Sequence, residues 1–328
     1  METVLITGAN GFLGAHLTRE LYRKGFAVRA MIRAGADRRS IADIPCEIFE
    51  GAVDNKNDID VALGGIDFVI HAASVTTPWG FPFSHYERIN YAATRMLADA
   101  CIQHKIRKLV YVSTANTLAP GTLQHPGTEL SPFTLFSAGS AYIDTKYLAQ
   151  QYILEQTAQH KLPAVIVNPT FMIGPGDFKP SSGRLLLYGM NRFLLFYPPG
   201  GKNFVDVADV CTGVIAALEK GRTGECYLLA GENLSYREFF RVISRWSGQR
   251  SMMISLPGWL LRFTGMAGSL IGYIRGRSLP LNRSVTYMAC IGNYYSARKA
   301  ERELDVRFSP AGQAIHRALD WFKENNYF

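Results

Sequence analysis

Short runs of β-branched and aliphatic residues alternate with longer stretches of helical periodicity through the first half of the chain. The runs Thr3–Thr7, Ala27–Ile32, Glu47–Glu50, Phe68–His71, Leu109–Ser113 and Ala164–Asn168 predict strands. Between them, apolar positions three and four apart predict helices over Gly11–Lys24, near Ile59–Leu63, from about Ser84 to His104 and from about Ser140 to His160. Strand and helix in regular alternation form a parallel sheet with helices on both faces, so an α/β, doubly wound architecture is expected. After Pro169 the rhythm breaks into Pro/Gly turns, Gly174–Asp177 (GPGD) and Pro198–Gly201 (PPGG), and aromatic-rich segments. Residues 1–170 are therefore expected to form one domain. Residues 171–204 and 231–328 are expected to form a smaller, irregular lobe, with the helix and strand patterns of Val205–Leu218 and Glu225–Ala230 returning to the sheet.

Composition narrows the partners. The 328 residues are 48% hydrophobic, enough for a substantial core, and show no repeat at a fixed period. A net charge of +8 admits nucleic acid, an anionic membrane or a phosphorylated ligand. The cations are dispersed apart from Arg29/Arg33/Arg38/Arg39 and Arg262/Arg275/Arg277/Arg283, and neither group lies in a nucleic-acid-binding motif, so no nucleic-acid partner is expected. Five scattered cysteines without a CxxC pair read as reduced thiols of a cytoplasmic protein, and the first strand starts too close to Met1 for a signal peptide. The most apolar stretch, 256–274, is interrupted by Pro257, Arg262 and glycines. It reads as a buried or interfacial helix, with peripheral membrane contact rather than a span. The seven histidines form no ligand cluster, so no metal is expected.

Chemistry begins at Thr7–Gly14 (TGANGFLG), after a Val-Leu-Ile strand and at the opening of an amphipathic helix. Gly8 permits a tight turn, Gly11 lets backbone approach a pyrophosphate, and Gly14 lets helix and strand pack closely while the helix N-terminus faces the phosphates. This predicts dinucleotide binding by Gly8, Asn10, Gly11, Phe12, Leu13 and Gly14. The second strand ends in Arg33, followed by Arg38 and Arg39, with no carboxylate before Asp37. A cation there accommodates a 2′-phosphate, so NADP(H) is the expected cofactor, unless these arginines are merely solvated.

Tyr142 and Lys146 lie four apart on one helical face, where an ammonium favours the phenolate. They follow Val112–Asn116 (VSTAN), whose hydroxyls could polarise a substrate oxygen.

TGANGFLG (7–14), HAAS (71–74), INYAATRML (89–97), YVSTANT (111–117), YIDTK (142–146), NPTFMIGPGD (168–177) and NFVDVADV (203–210), in this order, resemble the extended short-chain dehydrogenase/reductase superfamily. Val28–Arg33 (VRAMIR) and the C-terminal Leu319–Phe328 are most similar to its dihydroflavonol-reductase and 3β-hydroxysteroid-dehydrogenase-like branch. The resemblance implies a Rossmann-type sheet with a smaller, irregular substrate-binding lobe. It implies that Thr114 (or Ser113) holds the substrate oxygen, that Tyr142 gives or takes the proton, and that Lys146 binds the nicotinamide ribose and lowers the tyrosine pKa. Ala72, Ala73 and Ser74 would pass along the cofactor, and Pro169, Thr170 and Phe171 would meet the carboxamide. Asn90 fits a structural or a functional role equally.

Three departures matter. The family's Gly-Asp-Leu is replaced by Gly51-Ala-Val53, so backbone near Val53 would hold adenine. Ala115 and Asn116 replace the Asp-Glu pair of sugar-nucleotide dehydratases, which removes the acid/base pair for dehydration. Asn203 stands where many sugar-nucleotide enzymes carry a diphosphate-gripping arginine, although Arg184, Arg192 or Lys202 could substitute. The aromatic loop 76–86 and later aromatics, with Thr76, Trp79, Phe81 and Phe193 foremost, suggest an apolar substrate pocket or the packing between the lobes.

The expected activity is reversible, NADP(H)-dependent reduction of a hydrophobic or aromatic ketone or aldehyde to an alcohol. The alternatives are a nucleotide-sugar epimerase or reductase and a non-catalytic NADP sensor or scaffold. By analogy, the helices at 84–104 and 140–160 would pair two copies into a homodimer.

Overall fold

The computed structural model of the chain describes residues 1–159, 161–190, 192–249, 251–275 and 278–328. His160, the expected end of the fourth helix, and Arg277 lie outside the described residues. Strands β1 (Thr3–Thr7), β2 (Ala27–Ile32), β3 (Glu47–Glu50), β4 (Phe68–His71), β5 (Lys108–Val112) and β6 (Ala164–Pro169) match the expected runs to within a residue. With a later strand, Cys226–Leu229, they form a seven-stranded parallel sheet in the spatial order β3-β2-β1-β4-β5-β6 and then Cys226–Leu229. From β1 the chain builds outward first to β2 and β3, then returns to the other side of β1 with β4. The carboxyl ends of β1 and β4 therefore flank the crevice where such sheets bind ligands.

Period-2 alternation sorts the two faces. On β1, Val4 and Ile6 enter one core with Leu17 and Leu21 of α1 (Phe12–Arg23), whereas Leu5 enters the other. That second core is closed by α2 (Lys56–Ala62), α4 and α5, where α3 (Phe83–Tyr86) and α4 (Ala93–Gln103) are separated by a π-helical segment, Glu87–Ala92, and α5 is Ala141–Ala158. The single helix expected over 84–104 is thus interrupted. The wider turn has a use, because it carries Asn90, whose side chain clamps the loop after β4. No hydrophobic periodicity signals it.

The second lobe contains β7 (Phe171–Ile173), α6 (Gly183–Gly189), β8 (Leu194–Tyr197) and β9 (Gly201–Asp206). Next, α7 (Val207–Lys220) packs on α1, and β10 (Cys226–Leu229) is the strand already placed beside β6. The lobe resumes with β11 (Glu232–Ser235), α8 (Tyr236–Ser247), β12 (Met252–Ser255), α9 (Gly258–Ile274), α10 (Arg283–Cys290) and β13 (Gly292–Asn293), and the chain closes with α11 (Arg298–Leu304) and α12 (Ala311–Glu324). Strand β9 pairs with β7, β11 and β13, and β12 pairs with β8. A third core of Phe204, Phe239, Phe240, Ile315, Leu319 and Phe322 holds α8 and α12 to this mixed sheet. Ser235 and Glu238 start α8 with reciprocal side-chain-to-backbone bonds, which fixes the entry of the chain into that core.

Candidate active site

At the end of β1, Gly8 adopts φ +68°, and a Cβ there would lie 2.8 Å from Ala73 Cα. The turn and the loop after β4 are in backbone contact, which only glycine permits. A Cβ on Gly14 would overlap the Gly8 carbonyl oxygen, so the third glycine seats α1 against the turn. Helix α1 begins at Gly11 with no side-chain cap, leaving first-turn N–H groups for an external acceptor. The features fit a pyrophosphate. Asn10 spends its amide internally, donating to the Asp37 carbonyl at 2.8 Å, while Ser40 donates to the Asn10 carbonyl at 3.0 Å. These bonds tie the glycine turn to the loop after β2.

That loop separates its three arginines. Arg39 pairs with Asp37 at 2.8 Å and holds that carboxyl down to about 2, and Arg38 pairs with Glu50. Arg33 is exposed and has no ion-pair partner among the described residues. Behind the loop, Ala52 N–H donates to Asp58 Oδ2 at 2.8 Å, and Val53 packs partly into the core. Asp58 is thus engaged with backbone, and Val53 is the side chain this segment sets beside the core.

Beneath the loop of Ala72, Ala73 and Ser74 runs a buried relay. Ala73 N–H donates to Thr7 Oγ1 at 3.2 Å, and Thr7 meets His71 Nδ1 at 2.7 Å. His71 Nε2 meets Thr94 Oγ1 at 3.0 Å, and Thr94 donates to the Asn90 carbonyl at 2.8 Å. Since Thr7 accepts from Ala73 and Thr94 gives its proton to Asn90, the consistent tautomer carries the proton on Nε2. Burial, with Lys146 nearby, pushes His71 down to about 3, so the imidazole is neutral. Asn90 Oδ1 accepts from Ser74 Oγ (3.0 Å) and Val75 N–H (2.8 Å), and its Nδ2 donates to the Val75 carbonyl (3.1 Å). Its geometry is that of a clamp on this loop.

At the end of β5 the two adjacent hydroxyls diverge. Ser113 Oγ donates to Gln150 Oε1 at 2.7 Å, in a buried network where Gln150 also accepts from Thr117 and Asn168. Thr114 instead faces a cavity of about 120 Å³ together with Tyr142. Lys146 is buried, donates to the Val112 carbonyl at 2.7 Å and sits 4.3 Å from the Tyr111 ring centroid. The sequence spacing predicts a lowered phenol, but the balance runs the other way. Burial raises Tyr142 above its ordinary value, with the Thr114 hydroxyl drawing it back. The same burial pushes Lys146 down to about 7, weakening the charge that would favour a phenolate.

Pro169, Thr170 and Phe171 form another wall of this cavity, closed by Asn116, Lys202, Asn203, Asn293 and Tyr295. Among the described residues no carboxylate lines it. Asn203 is fully occupied, with Oδ1 accepting from Thr170 (2.7 Å) and Gly231 N–H (2.8 Å) and Nδ2 donating to Asn233 Oδ1 (2.7 Å). Lys202 is the cation of the wall, 5.2 Å from the Phe171 centroid and pushed down to about 8 by burial. A larger cavity of about 570 Å³, lined by Leu123, Leu135, Tyr287, Ile291 and Tyr294 among others, contains none of the candidate catalytic groups. The aromatic loop sits apart from both. Phe81 stacks on His85 at 4.4 Å, Trp79 lies near Arg184, and Thr76 lines neither cavity. Phe193, just before β8, is 71% exposed and lies outside both cavities.

The description "NAD dependent epimerase/dehydratase family" matches residues 4–230, more than half of the chain. The chain belongs to this family. It is similar to a putative dihydroflavonol 4-reductase of Synechocystis, 30% identical with 99% of this chain and 96% of the relative covered. It is also similar to sterol demethylase protein B of Methylococcus capsulatus, 27% identical with 98% of each covered. Among solved structures, that of gox2253 superposes with a TM-score of 0.87 at 30% identity, covering 99% of each chain.

As a member of the epimerase/dehydratase family, an extended short-chain dehydrogenase/reductase, the chain is an NAD(P)-dependent oxidoreductase acting on small molecules at CH–OH or C=O. The glycine cradle and uncapped α1 fit the cofactor this implies. Sequence reasoning did not select Asn116, Asn293 or Tyr295 as wall residues. Asn293 and Tyr295 arrive from the distant 291–295 segment, and no local motif marks them. The place of half-buried Lys202 in the wall has no sequence signal.

Proposed function

We propose that the chain reduces the carbonyl of an apolar ketone or aldehyde, reversibly, with NADP(H) as the hydride donor or acceptor. The observation that supports this most is Thr114 beside Tyr142 on the wall of a cavity without a carboxylate, with Lys146 buried behind them. Thr114 Oγ1 holds the substrate oxygen, and Tyr142 delivers its phenolic proton to that oxygen as negative charge develops there. A phenol raised by burial stays protonated through the neutral range and favours the role of acid. The Gln150 network keeps Ser113 out of the reaction and fixes the loop carrying Thr114. Gly8, Gly11 and Gly14 with the α1 amides hold the pyrophosphate, Ala72, Ala73 and Val53 pass along the cofactor, and Arg33 answers the 2′-phosphate.

The cavity holding Thr114 and Tyr142 is lined mainly by polar groups, so the hydrophobic reading rests on Pro169 and Phe171 of its wall and on Leu123, Leu135 and Ile291 of the larger cavity. The names of the relatives, a dihydroflavonol reductase and a sterol-demethylating protein, point the same way. Lys202 favours a second reading, a nucleotide sugar whose anionic part meets this cation. NADPH oxidation across aromatic and alicyclic ketones, aldehydes and UDP- or dTDP-sugars separates them. Turnover of the apolar carbonyls is expected; turnover confined to the sugar nucleotides, or none with any carbonyl, refutes the proposal.

A further inference from the structure

We propose that the exposed face of α9 docks on an anionic lipid surface. The helix turns its small residues inward: Gly265, Gly268 and Gly272 are buried, and the first two leave no room for a Cβ against Thr286 and Leu281 of the α10 region. Its large side chains face the opposite way. Trp259, Phe263, Met266, Leu270, Tyr273 and Ile274 follow a spacing of three, four and seven residues, so they form one stripe, and all are between 63% and 86% exposed. Close packing on α10 fixes this orientation, and the stripe cannot rotate into the core.

Charge selects the occupant. Residues 178–205 and 239–300 hold thirteen of the chain's 35 lysines and arginines and not one aspartate or glutamate, while the other 22 cations are set against 27 carboxylates. The excess positive charge belongs to this lobe. Arg262, Arg275 and Arg283, on or beside α9, are exposed and have no ion-pair partner among the described residues. An apolar stripe on a helix with exposed arginines within it (Arg262), at its C-terminal end (Arg275) and beside Ser269 (Arg283) has the composition of a helix lying in the headgroup plane. A second copy would bring the same acid-free, arginine-bearing face against itself, which opposes self-association there. No described helix is long and apolar enough to cross a membrane, and at 17 residues α9 is about 25 Å long, short of a hydrocarbon core of about 30 Å. The arrangement lies on the surface. It sits one helix away from the candidate active site, since Met288 and Tyr287 of α10 cluster with Ile143 and Tyr142.

The test is flotation of the full chain on vesicles of phosphatidylcholine alone or with phosphatidylserine as a minor component. Binding should favour the anionic vesicles by at least about fivefold, the contribution of one basic residue near the surface. Arg275→Gln/Arg283→Gln should cut anionic-vesicle binding by on the order of twentyfold, and Phe263→Ser/Leu270→Ser should abolish binding to both vesicles. All four side chains are exposed, and circular dichroism of each variant checks that the fold is kept. Absence of flotation, equal binding to neutral vesicles, or a folded Phe263→Ser/Leu270→Ser variant that still floats would overturn the proposal. So would sedimentation showing a dimer that this variant converts to monomer, which would assign the stripe to a second copy.

Discussion

Replacing Arg33 with serine separates the two nicotinamide cofactors on a single contact. Of the three arginines after β2, Arg38 and Arg39 are committed to Glu50 and Asp37, and Arg33 alone among the described residues has no carboxylate to leave before meeting a phosphate. A charge-assisted hydrogen bond contributes about 1.5–3 kcal/mol when well shielded. Arg33 is exposed, with salt screening charges over about 8 Å at physiological strength, so the lower end applies. We expect about 1.4 kcal/mol, a tenfold preference of the wild type for NADPH over NADH, and its loss in Arg33→Ser through weaker NADPH binding. NADH affinity should stay within about twofold. Glu50→Gln is the complementary change: freeing Arg38 should tighten NADPH and leave NADH alone. Isothermal titration of both cofactors with all three proteins reads this directly. Equal wild-type affinities, or an Arg33→Ser variant that loses NADPH and NADH alike, would refute the reasoning.

Gly14→Ala sets helix propensity against sterics: alanine in a helix is ordinarily favoured by about 1 kcal/mol, but here the Cβ meets the Gly8 carbonyl, so a net loss of about 1–3 kcal/mol and of NADPH binding is expected in denaturant melts and titrations. Gly312→Ala in α12, where the new Cβ meets nothing nearer than Val242 at 4.0 Å, should leave stability unchanged or raised; destabilisation of both to the same degree would remove the steric explanation. Asp144 carries a carboxyl raised to about 6 by burial, with Oδ1 unpartnered, against an ordinary value of 3.8. A carboxyl raised in the folded state disfavours folding above that value and ceases to do so as pH falls through 6 toward 3.8. Asp144→Asn should therefore melt higher than wild type near pH 7.5, with the gap closing near pH 4; a lower melting point at the higher pH would contradict the burial argument.

What was legible in the sequence follows from how local the physics is. The β1 turn and α1 were readable because Gly8, Gly11 and Gly14 answer to contacts within one βα unit and the adjoining strand. The inner sheet strands were readable because β1, β4, β5 and β6 are short, largely apolar runs buried on both faces. Ser113 and Thr114, by contrast, could not be told apart from their position. The difference is made by Gln150, 37 residues away from Ser113, whose Oε1 accepts the Ser113 hydroxyl's hydrogen bond. The π-helical turn around Asn90 breaks no hydrophobic pattern. Asn293 and Tyr295 reach the cavity through a two-residue strand with almost no signature of its own. For Tyr142 the four-residue spacing sets only proximity to Lys146; desolvation, which spacing does not show, opposes the charged form of each group.

Tyr142→Phe tests the central claim most directly. The substitution removes one hydroxyl and keeps the ring that packs beside α10. If Tyr142 supplies the proton, kcat for NADPH-dependent carbonyl reduction should fall by about 10²–10⁴-fold, while NADPH affinity, measured on the same preparation, stays within about twofold. Turnover retained at the wild-type rate would contradict the account.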